Sequence, residues 1–277
     1  QGSAQQKAEL LPKIMEGKLQ LACAYAEPGS RFNLAHIKTS AIVTGDTVVL
    51  NGSKTAVLNG SNAEILLVVA RESGAATDSD GISVFMVDAT STGVAIQAFA
   101  NVDGKKSAEI SLKDVSVPVT QRLGASGSAL QALQDSVDRA TLAVSAEAVG
   151  AMESLLHKTV EYSKTRKQFG TAIGTFQALQ HRMADMFIEC QLARSIVIMA
   201  AMKLDGGDDA IEKTKSVSAA KSRIGKAIQK VGQEAIQIHG GIGMTEELDV
   251  GHLFKSITAA EIMFGNTDFH TQRFASL

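Results

Sequence analysis

The feature that most constrains the fold is a change in the spacing of apolar residues near residue 120. Before it, short apolar or alternating runs are bounded by Gly, Asn and Asp, which is typical of β-strands. After it, apolar residues recur at spacings of three, four and seven, as in Ser128–Lys164, which indicates long amphipathic helices. The two patterns predict a β-domain followed by a helical domain.

The first pattern predicts eight short strands with no helix between them, and such a set forms an antiparallel barrel or sandwich. Asn51-Gly52 and Asn59-Gly60 predict hairpin turns, because both residue types tolerate positive φ. The run Leu21–Ala26 is apolar on both faces, so a central strand is expected there. The predicted strands are Leu19–Tyr25, Ile37–Thr44, Thr47–Leu50, Lys54–Leu58, Glu64–Ala70, Ile82–Asp88, Val94–Phe99 and Ser107–Leu112.

A Pro followed by a Gly/Ser run places the boundary between the two patterns within Val115–Gly127. Long helices with short links predict an antiparallel four-helix-type bundle after it. The fold class is therefore α+β, with a helix in residues 1–18, a β-domain in 19–120 and the bundle in 121–277. The predicted helices are residues 4–16, Ser128–Lys164, Phe176–Leu204, Lys213–His239, Gly251–Met263 and a last one from Asn266.

Composition excludes several classes of function. The net charge of -2 and the lack of a basic run argue against a nucleic-acid-binding surface. No apolar stretch reaches the ~20 residues that span a bilayer, and no Cys/His cluster has metal-ligand spacing. Cys23 and Cys190 lie in apolar runs, so buried reduced thiols and a cytoplasmic location are expected.

Two short segments carry residues that suit an anionic, planar ligand. In Tyr162–Gly170 a helix is expected to end at Gly170, and the next helix to begin behind Thr175. Arg166 can pair with phosphate in a fork, and Phe169 offers a face for stacking. Gly240-Gly241 would let backbone N–H groups approach a phosphate closely. A solvated helix end for Arg166 and a plain helix cap for the glycines are the alternatives.

Both segments also point to a family. Tyr162–Met186 resembles the signature of the flavin-dependent acyl-CoA dehydrogenases, and Gln237–Glu246 resembles their second signature. The residues of both segments are most similar to those of the group called pimeloyl-CoA dehydrogenase small subunit. The resemblance covers the middle β-domain and the C-terminal helical domain of that family. It implies that residues 1–18 are the last helix of an N-terminal helical domain.

The resemblance implies a fatty acid or lipid catabolic oxidoreductase that desaturates an acyl-CoA between Cα and Cβ. It implies FAD as cofactor, electron-transfer flavoprotein as electron acceptor, and a homo- or hetero-tetramer. The ADP end of FAD would reach into a neighbouring subunit. The residues that would receive it are Arg166, Gln168, Phe169, Gln237, His239, Gly240 and Gly241.

The rest of the family's flavin site is altered in this chain. The resemblance puts Ala26 at the position of a Thr near the flavin ring, Phe32 at that of a Ser near the pyrophosphate, and Ala56 at that of a Trp that packs on the ring. Small apolar side chains offer the ring neither stacking area nor polar partners. Backbone N–H and C=O groups near Ala26 could still form hydrogen bonds with the flavin ring.

The catalytic base is also altered. Gly265 stands where the family most often has the Glu that removes the α-proton, and Ala140 stands at a second such location. Asp268 is the candidate that remains, with a helix N-cap as the alternative. His239 and His270 are expected to be packed or capping.

Three mid-helix carboxylates are further candidates for acid–base chemistry. For all of them the sequence favours surface charge or pairing with Arg139. They are Asp135, Asp138 and Glu147.

Three hypotheses follow. The first is an acyl-CoA dehydrogenase, or the base-lacking partner subunit of one that grips the ADP end of FAD. The second is a non-catalytic assembly paralogue with the same fold. The third is a related flavin monooxygenase, which needs no acyl-side Glu but would carry a different signature at residues 237–246.

Overall fold

The computed structural model describes all 277 residues and divides them into two compact units, Gln1–Ser136 and Val137–Leu277. The first unit holds one short helix and a seven-stranded sheet, and the second consists almost entirely of helices. The α+β class is confirmed, with the β-structure first and the helical bundle after it.

The first unit is a single curled sheet whose strands run in the order β1-β4-β2-β3-β7-β6, with β5 also paired to β4. Side chains that point inside the curl form its core, among them Leu50, Val68, Phe85 and Ile110. The strands are β1 Leu21–Ala24, β2 Ser40–Thr44, β3 Thr47–Leu58, β4 Ile65–Arg71, β5 Ile82–Asp88, β6 Val94–Ala100 and β7 Lys106–Pro118.

Seven strands form where eight were predicted, because the hairpin expected at Asn51-Gly52 is absent. The chain continues there as the single strand β3, with a register shift against β7. A Cβ at Gly52 would lie 2.4 Å from the Thr39 hydroxyl oxygen, so this glycine serves a close approach of two segments. Asn59-Gly60 does form a turn, but β3 and β4 do not pair across it.

The sheet is mixed rather than purely antiparallel. Strand β1 runs parallel to β4, and β2 meets β4 in a parallel bridge. Strand β1 lies at the end of the strand order, so the prediction of a central strand was wrong. Its residues alternate, with Ala22 and Ala24 buried and Cys23 exposed, which corrects the expectation that both thiols are buried; Cys190 is buried.

Strand β7 extends to Pro118 and so enters the segment predicted as the boundary. Helix α1, Ala4–Met15, is capped by Ser3 and Gln6 in a capping box. The Gln6 amide also donates to the carbonyl oxygens of Thr120 and Arg122 at 3.0 and 3.2 Å, which attaches the start of α1 to the end of the β-structure.

The second unit follows the predicted helices closely. Its core is formed by buried residues such as Met152, Leu155, Met186, Ile224 and Val231. Helix α4 packs against α3, α5 and α6, so it is the centre of the bundle. The helices are α2 Leu130–Thr165, α3 Gln177–Asp205, α4 Ala210–His239, α5 Asp249–Ile262 and α6 Thr267–Ser276. None of the helices is both long enough and apolar enough to cross a membrane.

Candidate functional site

The first signature segment forms a small hairpin after α2. Helix α2 ends at Thr165, not at Gly170 as predicted. Strands β8 Lys167–Gln168 and β9 Thr171–Ala172 then pair, and the turn between them consists of Phe169 and Gly170, both at positive φ (54° and 82°). Two positive-φ residues in a two-residue loop match the twist of paired strands. Gly170 adopts this conformation readily, whereas Phe169, in place of the usual Asn or Gly, carries backbone strain there.

The hairpin presents its side chains outward. Arg166, Gln168 and Phe169 are exposed, and the Phe169 ring is 93% exposed. This ring contacts only the edge of Phe176, at 6.2 Å between centroids. The Arg166 guanidinium has no carboxylate partner, while its backbone is fixed by hydrogen bonds with Tyr162 and Ile173 at 2.9 Å. A fixed backbone carrying a free cation and an open ring is suited to receiving a ligand.

The second signature segment forms the end of α4. Gly240 has φ 64° and ψ -143°, a conformation that only glycine adopts readily, and its N–H donates to the carbonyl oxygens of Ile236 and Gln237. Gln237 is exposed. No atom lies within 4 Å of a Cβ built on Gly240 or Gly241, so the backbone there faces open space.

A ring contact brings the two segments together at one end of the helical unit. The Tyr162 ring stacks on the His239 ring at 4.4 Å, and the Tyr162 hydroxyl donates to the His239 carbonyl oxygen at 3.4 Å. Tyr162 lies one turn before Arg166, and His239 immediately precedes Gly240. His239 itself is buried, and its Nδ1 donates to the Ala235 carbonyl oxygen at 2.8 Å. It therefore positions the segment rather than facing a ligand.

The position of the family's base is closed to any side chain. Gly265 has φ 118°, and a Cβ there would lie 2.5 Å from the Phe269 ring and 2.6 Å from His270 Nε2. Its carbonyl oxygen accepts from the buried Lys221 ammonium at 2.7 Å, and Lys221 also donates to the Glu261 carbonyl oxygen. Burial lowers the pKa of Lys221 to about 8, partly offset by Glu261.

Asp268 lies in the first turn of α6 and is exposed. The N-cap of this helix is Asn266, whose side chain accepts from the Phe269 N–H at 3.0 Å, so the expectation that Asp268 caps the helix was wrong. The Glu261 carboxylate accepts from Thr267 at 2.9 Å and gives the helix start a second anion. The structure thus places Asp268 on the surface at the start of α6.

His270 is packed beside Gly265, as predicted. Its Nε2 donates to the Phe264 carbonyl oxygen at 3.1 Å, and Nδ1 faces the Ser218 hydroxyl at 3.4 Å. Burial lowers the pKa of His270 to about 4, although the hydrogen bond to Phe264 opposes the shift; Lys221 and Arg273 add to it. The ring is therefore neutral near pH 7 and does not act as a proton carrier there.

This histidine predicts a pH dependence of stability. An unfolded His titrates near pH 6.5, so the unfolded state binds more protons than the native state between pH 6.5 and 4. The contribution is fully present above pH 6.5 and is lost as the pH falls through that window. We expect His270 to lower the free energy of unfolding by about 2 kcal/mol between pH 7.5 and 5.0.

Urea unfolding at both pH values measures this. His270→Gln should reduce the pH-dependent difference by that amount, whatever its own stability. His181→Gln is the control, because His181 is exposed on α3. Equal pH dependence in wild type and His270→Gln would contradict the assignment.

In the β-unit, the segment after β1 is held by a buried ion pair. The Lys54 ammonium lies 2.6 Å from the Glu27 carboxylate, which also accepts from the backbone N–H of Lys38 and Thr39. Burial alone would raise the pKa of Glu27, but Lys54 and these hydrogen bonds lower it overall. Burial lowers the pKa of Lys54 to about 8. The pair fixes the loop that begins at Ala26.

The residues that depart from the family pattern lie close to this loop. Ala26 accepts a backbone hydrogen bond from Thr55 at 2.9 Å, and Ala56 follows at φ 50°. The Glu109 carboxylate accepts from the Thr55 hydroxyl at 2.7 Å and from the Ala56 N–H at 3.3 Å. This surface offers a carboxylate and methyl groups, which give a flavin ring neither stacking area nor hydrogen-bond donors.

Of the three mid-helix carboxylates, Asp135 and Glu147 are exposed, as predicted, but Asp138 is buried. Its partner is Arg273, with bonds of 2.5 and 3.1 Å, and Thr214 also donates to it at 3.0 Å. Arg139 faces Asp205 instead. No local pattern signals this pair, because its members are 135 residues apart.

Comparison with known proteins agrees with the geometry. The family model for the acyl-CoA dehydrogenase C-terminal domain matches residues 130–276, and that for the middle domain matches residues 22–115. The caffeyl-CoA reductase-Etf complex subunit CarC of Acetobacterium woodii is 30% identical over 96% of this chain and 70% of its own length.

Solved structures give the same result. An acyl-CoA dehydrogenase from Geobacillus kaustophilus superposes with a TM-score of 0.93 at 30% identity, over 99% of this chain and 72% of that one. A structure described as the FAD complex of PigA gives 0.92 at 28% identity, with the same coverage.

The chain belongs to the acyl-CoA dehydrogenase family. It is accordingly a flavoprotein of the oxidoreductase class that acts on CH–CH bonds, and its curled sheet and helical bundle are the middle and C-terminal domains of that fold.

Proposed function

We propose that this chain is a subunit of an FAD-dependent acyl-CoA dehydrogenase that grips the ADP end of an FAD held by a neighbouring subunit. The enzyme acts on an acyl-CoA thioester between Cα and Cβ. In this assembly the chain supplies phosphate contacts and does not supply the base that removes the α-proton.

The observation that carries the proposal is a contrast within the helical unit. Arg166, Phe169 and the Gly240–Gly241 backbone are open, free of protein partners on their ligand-facing side, and joined by the Tyr162–His239 contact. Gly265, by comparison, is sterically closed. The surface that would bind the ADP end of FAD is accessible, whereas the position of the catalytic base has no space for a side chain.

The open surface fits the ADP end of FAD. Arg166 would pair with the pyrophosphate, and the Gly241 backbone, which faces open space, would lie close to the same anion. Phe169 would cover the adenosine, while the Gln168 and Gln237 amides would supply directional hydrogen bonds. When bound, FAD accepts the hydride that leaves the β-carbon of the acyl group.

The β-unit and the closed base position explain why a second subunit is needed. Removal of an α-proton needs a carboxylate within hydrogen-bond reach of it. Neither Gly265 nor the exposed Asp268 meets that need, and Ala26 and Ala56 give the flavin ring no side-chain partners. A partner subunit with a Glu at the base position would supply the base, and its own β-domain would supply the contacts to the flavin ring.

The wider assignment follows from the same membership. We propose a hetero-tetramer that works in fatty acid or lipid catabolism in the cytoplasm, with electron-transfer flavoprotein as electron acceptor. The name of the Acetobacterium woodii relative, a subunit of a reductase-Etf complex, supports such an acceptor.

A second candidate is a non-catalytic assembly paralogue that keeps the fold without the cofactor. The closure of Gly265 favours it as much as it favours a partner subunit. The two differ in whether the Arg166 surface binds FAD.

The experiment is to purify the protein alone, measure FAD per chain by absorbance, and assay a panel of saturated acyl-CoA thioesters with an artificial electron acceptor. We expect FAD binding with turnover at least ~1,000-fold below that of a base-carrying family member assayed in parallel. One FAD per chain with ordinary desaturation would overturn the proposal, and protein that never binds FAD would favour the assembly paralogue.

A further inference from the structure

The two parts of the proposed ADP grip follow different helices, so a contact between the helices must set the distance between them. Arg166 lies directly after α2, and Gly240 and Gly241 lie directly after α4. Helix α4 packs closely against α3, α5 and α6, and α2 is not one of these close neighbours. We call residues 166–172 the Arg166 hairpin and Gly240–Gly241 the glycine turn.

The glycine turn is a poor anion site by itself. It lies at the C-terminal end of α4, where the aligned peptide dipoles leave partial negative charge. An anion bound there needs a cation beside it, and the exposed Arg166 is the cation of the other part. The position of Arg166 relative to the glycine turn therefore decides whether the grip holds a pyrophosphate.

Tyr162 connects the two parts through a continuous series of contacts. Its carbonyl oxygen accepts from the Arg166 N–H at 2.9 Å. Its ring stacks on the His239 ring, with 4.4 Å between the centroids and 27° between the planes, and its hydroxyl donates to the His239 carbonyl oxygen at 3.4 Å. His239 is buried, its Nδ1 donates to the Ala235 carbonyl oxygen at 2.8 Å, and Gly240 follows it directly.

An ion pair also links α2 to this end of the unit, but it holds no fixed geometry. Lys158 lies 2.8 Å from Asp249 at the start of α5, and the two side chains are 37% and 58% exposed. Water and salt screen such a pair. Tyr162, by contrast, is half-buried and packs against the core of the bundle. A ring held against a close-packed core keeps one orientation, so it can fix a distance.

We propose that Tyr162 is a positioning residue of the ADP grip, whose ring holds the Arg166 hairpin and the glycine turn at one separation so that both reach the same pyrophosphate. The inference rests on the proposed function, because it concerns the same end of FAD. Two contacts that are fixed relative to each other bind one ligand more tightly than the same contacts free to move apart. Loss of the ring should therefore weaken FAD binding without removing any group that contacts FAD.

Hydrogen–deuterium exchange of the protein without FAD tests the positioning. Tyr162→Leu keeps an apolar side chain against the core but removes the ring and its hydroxyl. It should raise exchange at residues 237–246 at least ~10-fold and leave residues 220–232 of α4 unchanged, because the loss is local. Equal exchange of wild type and Tyr162→Leu at residues 237–246 would overturn the proposal, and so would a uniform increase along α4.

Val197→Ala is the matched control for lost packing. Val197 packs against the same core from α3, roughly 30 Å along that helix from its first residue. This change should leave exchange at residues 237–246, and the affinity for FAD, at wild-type values.

Titration with FAD at fixed ionic strength tests the consequence. Tyr162→Leu should bind FAD roughly 20-fold more weakly than wild type. His239→Leu breaks the same stack from the α4 side and should give a similar loss, so the test does not depend on one variant folding. Tyr162→Phe keeps the ring and loses one long hydrogen bond, so its loss should stay below ~3-fold. A loss in Tyr162→Phe as large as that in His239→Leu would overturn the role of the stack.

A double-mutant cycle separates positioning from general structural damage. In an Arg166→Gln background, Tyr162→Leu should cost less than ~3-fold in FAD affinity, because one of the two parts that it aligns is already lost. Damage to the fold would instead cost the same in both backgrounds. Additive losses would therefore overturn the positioning role.

The outcomes also separate this inference from the proposed function. If Arg166→Gln weakens FAD binding and neither Tyr162→Leu nor His239→Leu does, the grip stands and the positioning role fails. If wild-type protein binds no FAD, the proposed function fails. The exchange at residues 237–246 then still decides whether Tyr162 positions the glycine turn.

Discussion

Gly265→Ala is expected to lower the free energy of unfolding by about 4 kcal/mol. A single methyl group would meet the Phe269 ring at 2.5 Å and His270 Nε2 at 2.6 Å, and both neighbours are held by the α6 cap and the Phe264 carbonyl oxygen. The φ of 118° adds backbone strain for any residue with a Cβ.

Gly150→Ala is the matched control. Gly150 lies inside α2 at ordinary helical φ, and a Cβ there meets no atom within 4 Å. Alanine should therefore be neutral or stabilise the protein by up to about 1 kcal/mol. Urea unfolding followed by circular dichroism at 222 nm reports both variants.

The consequence is functional as well as structural. If Gly265→Ala unfolds at the same urea concentration as wild type, the position has room for a side chain. A single substitution, Gly265→Glu, would then be enough to restore the missing base. We expect instead that restoring Glu at this position gives a less stable protein without turnover.

The helices were predictable because their information is local. In α2 the apolar residues Leu133, Val144, Met152 and Leu155 lie on one face by spacing alone, and all four are buried. The β-unit was harder to predict. The turn signal at Asn51-Gly52 predicts a hairpin, whereas Gly52 is needed for the approach of Thr39, thirteen residues away in sequence.

For the candidate site, the sequence predicts which residues could bind a ligand but not the tertiary contacts that hold them in place. Arg166, Phe169 and Gly240 stand out in the sequence, but the contact that joins them is between Tyr162 and His239, which are 77 residues apart. The resemblance to the family identifies Gly265 as a lost base, yet the steric closure of this position depends on how α6 packs. The buried Asp138–Arg273 pair also depends on tertiary packing. The sequence does not predict it, because charged residues in a helix ordinarily face solvent.

The second large effect is expected at Arg166. Replacing it with Gln keeps a polar side chain but removes the charge that would pair with the pyrophosphate. A charge-assisted, forked contact contributes about 2–3 kcal/mol, so FAD affinity should fall roughly 100-fold. Because Arg166 is exposed and its side chain forms no hydrogen bond or ion pair within the chain, stability should change by less than ~0.5 kcal/mol.

Lys164→Gln is the matched control for this change. Lys164 lies two residues earlier, is exposed, and pairs only with Glu161 on the surface at 2.6 Å. The Lys164→Gln substitution removes the same charge from the same end of α2. It therefore reproduces any loss of FAD affinity that comes from general electrostatic attraction. An exposed pair of this kind contributes little to stability, because water and salt screen it.

The most direct test is a titration of wild-type, Arg166→Gln and Lys164→Gln protein with FAD, followed by flavin fluorescence at fixed ionic strength. The account predicts saturable binding to wild type, affinity near wild type for Lys164→Gln, and a loss of roughly 100-fold for Arg166→Gln. Equal affinity of all three proteins for FAD would contradict it, because the guanidinium would then lie away from the phosphates.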